Sequence, residues 1–376
     1  MSISQELYNR LNETIRPLVS VSNSKQVSNW LWSVVGLMQA NSPALSKIAT
    51  YLPMETNAES RVTLVRRWLK NFKVDVRAFY EPILAQALQG WQAMEVFVIL
   101  DGVMVFGDRW QVFRLSLQHG HRAIPLAWMV LAGTGVTSVD RLTAMLTGVA
   151  KFLRPRVKGV TFLADRGFRD CDWAKLCRKL RWHYAIRITC NTYVTLADGR
   201  ACRVDALGVA RGQRRYFQNV RLTKTAKWRA QLSVGWTEGD DQTEPELLAV
   251  ISNQVACRAR LRAYGRRMSI EQSFRDDKSG GFDLAHTRRQ HAERLERLLL
   301  AMAIATLWCH ELGEGVLAAG ETMRRAIDPG PTRELSLFQL GLRWLKRCLA
   351  TAIHRLPIFC ARLSNLKLAP VAVSTA

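Results

Sequence analysis

Val96-Phe-Val-Ile-Leu100, entered from Glu95 and followed by Asp101-Gly102, is an unbroken apolar run with an acid at its end. Its length and its β-branched and aromatic content predict a strand buried on both faces that closes at Asp101. Two more strands are expected at about 109–118 and 123–131. They are joined by His119-Gly120-His121, which reads as a hairpin turn whose histidines are turn residues and not metal ligands. Thr137-Ser138 opens a helix through Leu142, Met145, Val149 and Phe152 to Pro155. Gly159-Val-Thr-Phe-Leu-Ala164 is a second buried strand, parallel to the first and closed by Asp165-Arg-Gly-Phe168. Asp170 caps a helix carrying Trp173, Leu176 and Leu180, and a fifth strand covers His183–Ile188.

Three meandering strands followed by helix, strand, helix, strand make a mixed sheet with helices on its faces, the layout of the ribonuclease H-like folds. The fold class is therefore α/β, with a core over 93–188 and 256–312. Between these parts, 189–255 reads as a β-rich insertion: a hairpin around Asp198-Gly199, then strands at Tyr216–Leu222, Gln231–Trp236 and Leu247–Ser252. Its Arg211, Arg214, Arg215, Lys224, Lys227 and Arg229, interleaved with Tyr216, Trp228 and Trp236, fit a surface that follows a phosphate backbone and stacks on a base; a structural β-subdomain with solvated charges is the alternative.

Residues 1–92 read as a helical DNA-binding domain. Trp30–Met38 is an apolar helix, Ser42-Pro43 starts a second, and Asn57 caps a basic third that ends at Lys70. Arg61, Arg66 and Arg67 on that helix are placed to reach phosphates or bases, as in a helix-turn-helix; an ordinary helical bundle with a solvated face fits the pattern equally. Ala292–His310 and Leu335–His354 are expected helices, 313–376 a C-terminal helical region, and Ala369–Ala376 a loose tail.

The 376 residues carry 54 Lys+Arg against 31 Asp+Glu, a formal charge of +23. Of this, +20 lies on residues 96–376, so the polyanion partner implied by such a balance meets the body of the protein. Eight cysteines are scattered without zinc-ligand spacing and read as reduced core residues. The N-terminus has no secretory pattern and Leu298–Cys309 is too short to span a bilayer, which predicts a cytoplasmic protein without a membrane partner.

Tyr264-Gly-Arg-Arg-Met-Ser-Ile-Glu-Gln-Ser-Phe-Arg-Asp-Asp-Lys278 carries the sharpest signal. At roughly 100° per residue, Tyr264, Arg267, Glu271 and Lys278 share an arc of about 60° on one helix. Asp276 and Asp277 fall on other faces, and Gly280-Gly281 ends the helix. Glu271 thus joins Asp101 and Asp165 as a third placed carboxylate. Asp108 sits in a turn, and Asp170 and Asp172 begin a helix, so these are not counted. Carboxylates at neighbouring strand ends lie where open α/β sheets bind ligands. Three such oxygen donors suit two Mg²⁺ ions, with Mn²⁺ as a substitute, and in-line phosphoryl displacement.

These residues resemble a known family. Tyr264-x2-Arg267-x3-Glu271-x6-Lys278 is similar to the Tyr-Arg-Glu-Lys signature of the bacterial insertion-sequence DDE transposases of the IS-four family, and Asp101-Gly102 and Asp165-Arg-Gly-Phe168 resemble its two aspartate regions. The resemblance spans about 95–312, including the insertion between Asp165 and Glu271. It implies a DNA transposase, with Asp101, Asp165 and Glu271 holding two Mg²⁺ ions. Such an enzyme cleaves double-stranded DNA at the terminal inverted repeats and joins the freed 3′-hydroxyl to target DNA. It further implies a homodimer on paired ends, phosphate contacts by Tyr264, Arg267 and Lys278, and a base-stacking Trp in the insertion, for which Trp228 and Trp236 are the candidates. The alternatives are a transposase-derived DNA-binding protein that no longer cuts and a ribonuclease H-fold nuclease that cuts without joining.

Overall fold

The computed structural model describes residues 2–20, 23–135, 137–223, 228–237, 244–284, 291–351 and 353–364. Lys224, Lys227 and the 369–376 tail lie outside them. The described N-terminal residues form five helices: α1 (Ile3–Leu18), α2 (Ser24–Ala40), α3 (Leu45–Thr50), α4 (Ala58–Lys70) and α5 (Val76–Ala87). Asn57 caps α4 as expected, its side chain accepting from the Ser60 amide at 2.8 Å. The sequence pattern had singled out only three. α1 buries Leu7, Leu11 and Ile15, an i, i+4, i+8 stripe, beneath an otherwise charged surface.

Strands β1 (Glu95–Val105), β2 (Trp110–His119) and β3 (Arg122–Ala132) form the meander. Helix α6 (Val139–Leu153), strand β4 (Gly159–Ala164), helix α7 (Cys171–Lys179) and strand β5 (His183–Ile188) follow. β6 (Tyr193–Thr195), β7 (Ala201–Arg203), β8 (Arg215–Leu222), β9 (Trp228–Trp236) and β10 (Leu247–Ser252) complete a single sheet of ten strands in the order β3-β2-β1-β4-β5-β10-β9-β8-β6-β7. The expected insertion is therefore no separate sheet. β10 pairs antiparallel with β5 and carries the other four strands outward from the core.

Two expectations about the first strands need correction. β1 does not end at Asp101. It continues through Gly102 to Val105 because β2 pairs with it all the way, from Val98↔Leu117 to Val105↔Trp110. Only its parallel neighbour β4 stops there, at Leu100↔Ala164. His119 is likewise no solvent-facing turn residue. It is 5% exposed, with Nε2 3.1 Å from the Glu314 carboxylate and 3.0 Å from the Ser364 carbonyl oxygen. The turn itself is Gly120-His121, with Gly120 at φ 59° supplying the positive angle that this tight hairpin needs.

α8 (Arg258–Gly265) lies on β5, β9 and β10, while α9 (Met268–Arg275) lies on β1, β2 and β3. The long α10 (Ala292–Ala318) is buried almost all round, between β3, the N-terminal helices and α12 (Leu337–Thr351), with α11 (Glu321–Ile327) beside it. A Cβ at Gly313 of α10 or at Gly341 of α12 would overlap the other helix's backbone, so these glycines permit the close crossing. No helix among the described residues is long and apolar enough to cross a membrane. The described cysteines are free; Cys177, Cys309 and Cys348 are buried, and Cys360 is exposed, unlike the core position expected of it.

Candidate active site

The sheet register brings the two aspartates together. Leu100↔Ala164 is the last pair of the parallel β1–β4 ladder, so Asp101 and Asp165 are the next residue on each strand, side by side where β4 ends. This is the opening at which parallel strands present groups to a ligand. Asp165 is fixed by its own loop: Oδ1 accepts the Gly167 amide at 2.8 Å, closing a short 3₁₀ turn over Arg166–Phe168. Asp101 Oδ1 accepts the Gly102 amide at 2.8 Å.

Glu271 arrives from α9. The stretch Tyr264–Lys278 is not the one straight helix its spacing suggests. α8 ends at Gly265, α9 starts after Arg267, and Asp276–Gly280 widen into a π turn. The second half of the stretch is tied to the meander through Ser273, Asp276 and Asp277. The Ser273 hydroxyl accepts the Ala123 amide at 2.7 Å, while Asp276 pairs with Arg122 and the buried Asp277 with Arg114. Arg114 is the cross-strand partner of Asp101 and also lies 4.4 Å from the Phe274 ring centroid. Burial pushes the Asp277 carboxyl upward and Arg114 opposes that shift. Despite the break, Arg267, Glu271 and Lys278 still converge with Asp101 and Asp165 around one cavity of about 470 Å³.

Arg267 is the hub of the site. Its Nη1 donates to Asp101 Oδ2 at 2.9 Å and its Nη2 to Glu271 Oε1, with the side chain only 11% exposed. The guanidinium also faces the Tyr264 ring, 5.8 Å from its centroid. Burial alone would lower the arginine pKa; Tyr264, Glu271 and Asp101 outweigh it and raise it. Asp101 is pushed up to about 6, first by burial and further by the charges of Asp165 and Glu271, against the pull of Arg267 and the Gly102 amide. Burial likewise raises the Tyr264 hydroxyl, with Arg267 and Arg187 opposing.

The residues fit a hard divalent cation. The donors are three carboxylates without thiol or imidazole, they repel one another, and the cavity has room for an ion together with phosphate oxygens. Among the described residues, Asp170, Cys171 and Asp172 also form a group of potential ligands, all within 4.8 Å. Its two carboxylates are committed elsewhere, since Asp170 caps α7 and Asp172 pairs with Lys175.

The other sequence candidates divide. Arg66 and Arg67 are exposed on α4, whereas Arg61 is turned inward to the carbonyl oxygens of Met54 and Thr56. β9 runs in the direction of β5, so Trp236, opposite Leu247, ends at the same edge of the sheet as Asp101 and Asp165. Trp228 lies at the far end of β9, 4.4 Å from the guanidinium of Arg178. Trp236 is half-buried, its indole N–H donating to the Val209 carbonyl at 2.9 Å. The sequence reading overlooked Arg275, which lines the cavity one turn beyond Glu271 and was legible from that i, i+4 spacing. Arg187, 2.7 Å from Glu246 and close enough to act on Tyr264, was also missed, and no local pattern marks it.

No curated protein sequence matches this chain. Among solved structures, it is similar to a piggyBac transposase in a synaptic complex with hairpin DNA, at 10% identity and a TM-score of 0.44 over 96% of this chain and 84% of that one. It is also similar to Marinitoga piezophila Argonaute in complex with guide RNA and target DNA, at 7% identity and a TM-score of 0.24 over 64% of this chain and 34% of that one. The family model described as the transposase DDE domain matches residues 115–308, which include Asp165 and Glu271 but begin after Asp101. With more than half of its length matched, the chain belongs to the transposase DDE domain family.

Proposed function

We propose that the protein is an insertion-sequence transposase of the IS-four type, built on a ribonuclease H-like core, that cuts DNA at terminal inverted repeats and joins the ends to target DNA. The observation carrying this reading is the convergence of Asp101, Asp165 and Glu271 from two parallel strands and a helix onto one basic cavity. In this reading the three carboxylates hold Mg²⁺, or Mn²⁺ in its place, as a pair of ions. Bound there, the metal supplies activation of the attacking hydroxyl or water and stabilisation of the leaving 3′-oxygen.

The chain's own residues do the rest. Lys278, Arg275 and the Arg267 fork take phosphate oxygens beside the scissile bond, and Tyr264 backs Arg267. Trp236 is preferred over Trp228 as the ring that receives an unstacked base, because it shares an edge with the carboxylates. Residues 1–92 read the ends through the exposed face of α4, with Arg66 and Arg67 as contacts and Arg61 as a brace for the helix start. The working form is a homodimer on two ends, at the nucleoid in the cytoplasm.

Incubating the protein with linear duplex that carries the ends of its encoding element tests this. Mg²⁺-dependent nicking at the ends and joined products are expected. Binding without cleavage in either metal would instead favour the silent DNA-binding alternative, against which the intact carboxylate set argues.

A further inference from the structure

Arg267 holds oxygens that a cation at this site needs. Its two terminal nitrogens engage Asp101 Oδ2 and Glu271 Oε1, from strand and helix respectively, and so bridge the site's two halves. A buried guanidinium in that position and a divalent ion on the same oxygens repel each other and compete for the same lone pairs. Arg267 is also suited to leave. It stands in the joint between α8 and α9, outside both helices, with the Tyr264 ring behind its guanidinium, and Lys278 and Arg275 already line the cavity where a phosphate would replace its carboxylate partners.

We infer that Arg267 is a latch: cation loading on Asp101 and Glu271 displaces it, and the released fork is the group that then binds a DNA phosphate. Metal and DNA end are thereby positively coupled through one side chain. This deepens the proposed function and rests on its assignment of the carboxylates as metal ligands. It differs from a plain positioning role, in which Arg267 would orient the carboxylates for the ion and its loss would weaken ion binding.

The test is Mn²⁺ binding to the full-length protein without DNA, followed by electron paramagnetic resonance, with the Mn²⁺-induced shift in unfolding temperature as a second readout. A neighbouring opposite charge moves a carboxylate's affinity for protons by about one to three log units. Arg267→Gln is therefore expected to bind Mn²⁺ about tenfold or more tightly than wild type and to show the larger thermal shift. Arg267→Lys, which keeps the charge, should stay close to wild type. Equal or weaker binding by Arg267→Gln overturns the latch, as does Arg267→Lys binding as tightly as Arg267→Gln. The underlying metal assignment fails separately, if Asp101→Asn and Glu271→Gln bind Mn²⁺ as wild type does or if no variant binds it.

Discussion

Gly167→Ala isolates the orientation of one carboxylate. A Cβ at Gly167 would stand 2.9 Å from Asp165 Oδ1, where ordinary contact begins at 3.4 Å, so the carboxylate has to retreat by about half an ångström. The oxygen that retreats is the one accepting the Gly167 amide at 2.8 Å, and weakening that bond costs on the order of 1 kcal/mol. In a chain of 376 residues such a loss lowers the unfolding temperature by only about 1 °C. The effect on chemistry is larger. A catalytic constellation tolerates about 0.5 Å of error, and a displacement of ~1 Å can cost a hundredfold in rate, so cleavage should fall about tenfold. The assay is Mg²⁺-dependent nicking of end-bearing duplex, run beside thermal unfolding of the same preparation. Wild-type cleavage would refute the claim that the Gly167 amide aims Asp165 at the metal.

Asp277→Ala leaves Arg114 buried without its partner, and unfolding measurements should show a loss of about 3–5 kcal/mol. The paired change Arg114→Met with Asp277→Leu should recover most of that stability yet leave cleavage impaired, because the π turn carrying Lys278 loses its anchor; full activity would show that the anchor is dispensable. Asp101 is protonated below about 6, so Mn²⁺ affinity should be steady above pH 7 and fall about tenfold per unit below 6. In the metal-free protein the same raised pKa makes Asp101 contribute stability at pH 4 that is lost as pH rises through 6. A flat Mn²⁺ affinity from pH 5 to 7.5 would remove Asp101 from the ligand set. Trp236→Ala should suppress quenching of a fluorescent base analogue at the cleaved end while Trp228→Ala leaves it unchanged, and the reverse result would move the stacking role to Trp228.

What the sequence disclosed follows from how locally each feature is encoded. β4 and β10 begin and end where their largely apolar runs do, because a strand buried on both faces is written mostly in β-branched and aliphatic residues. β1 outran its apolar run, since the pairing that prolongs it comes from β2. Glu271 and its cationic companions were legible as a helical spacing. The ties of Ser273, Asp276 and Asp277 to the meander were not, because their partners, Ala123, Arg122 and Arg114, lie about 150 residues away. The i, i+4 pair of Arg267 with Glu271 was written in the spacing, whereas the bond from Arg267 to Asp101 joins residues that only the folded sheet brings together. For the same reason alternation revealed the strands of the insertion but not that β10 would dock on β5 and make one sheet of all ten.

The account's central claim is that Asp101, Asp165 and Glu271 act as one metal-binding set in cutting DNA. Its most direct test is cleavage of end-bearing duplex by wild type, Asp101→Asn, Asp165→Asn and Glu271→Gln in Mg²⁺, with duplex binding measured in parallel. The account predicts nicking by wild type that EDTA abolishes, and three variants that bind the duplex but do not cut it. Cleavage that persists in EDTA, or at the wild-type rate in any of the three variants, would contradict it.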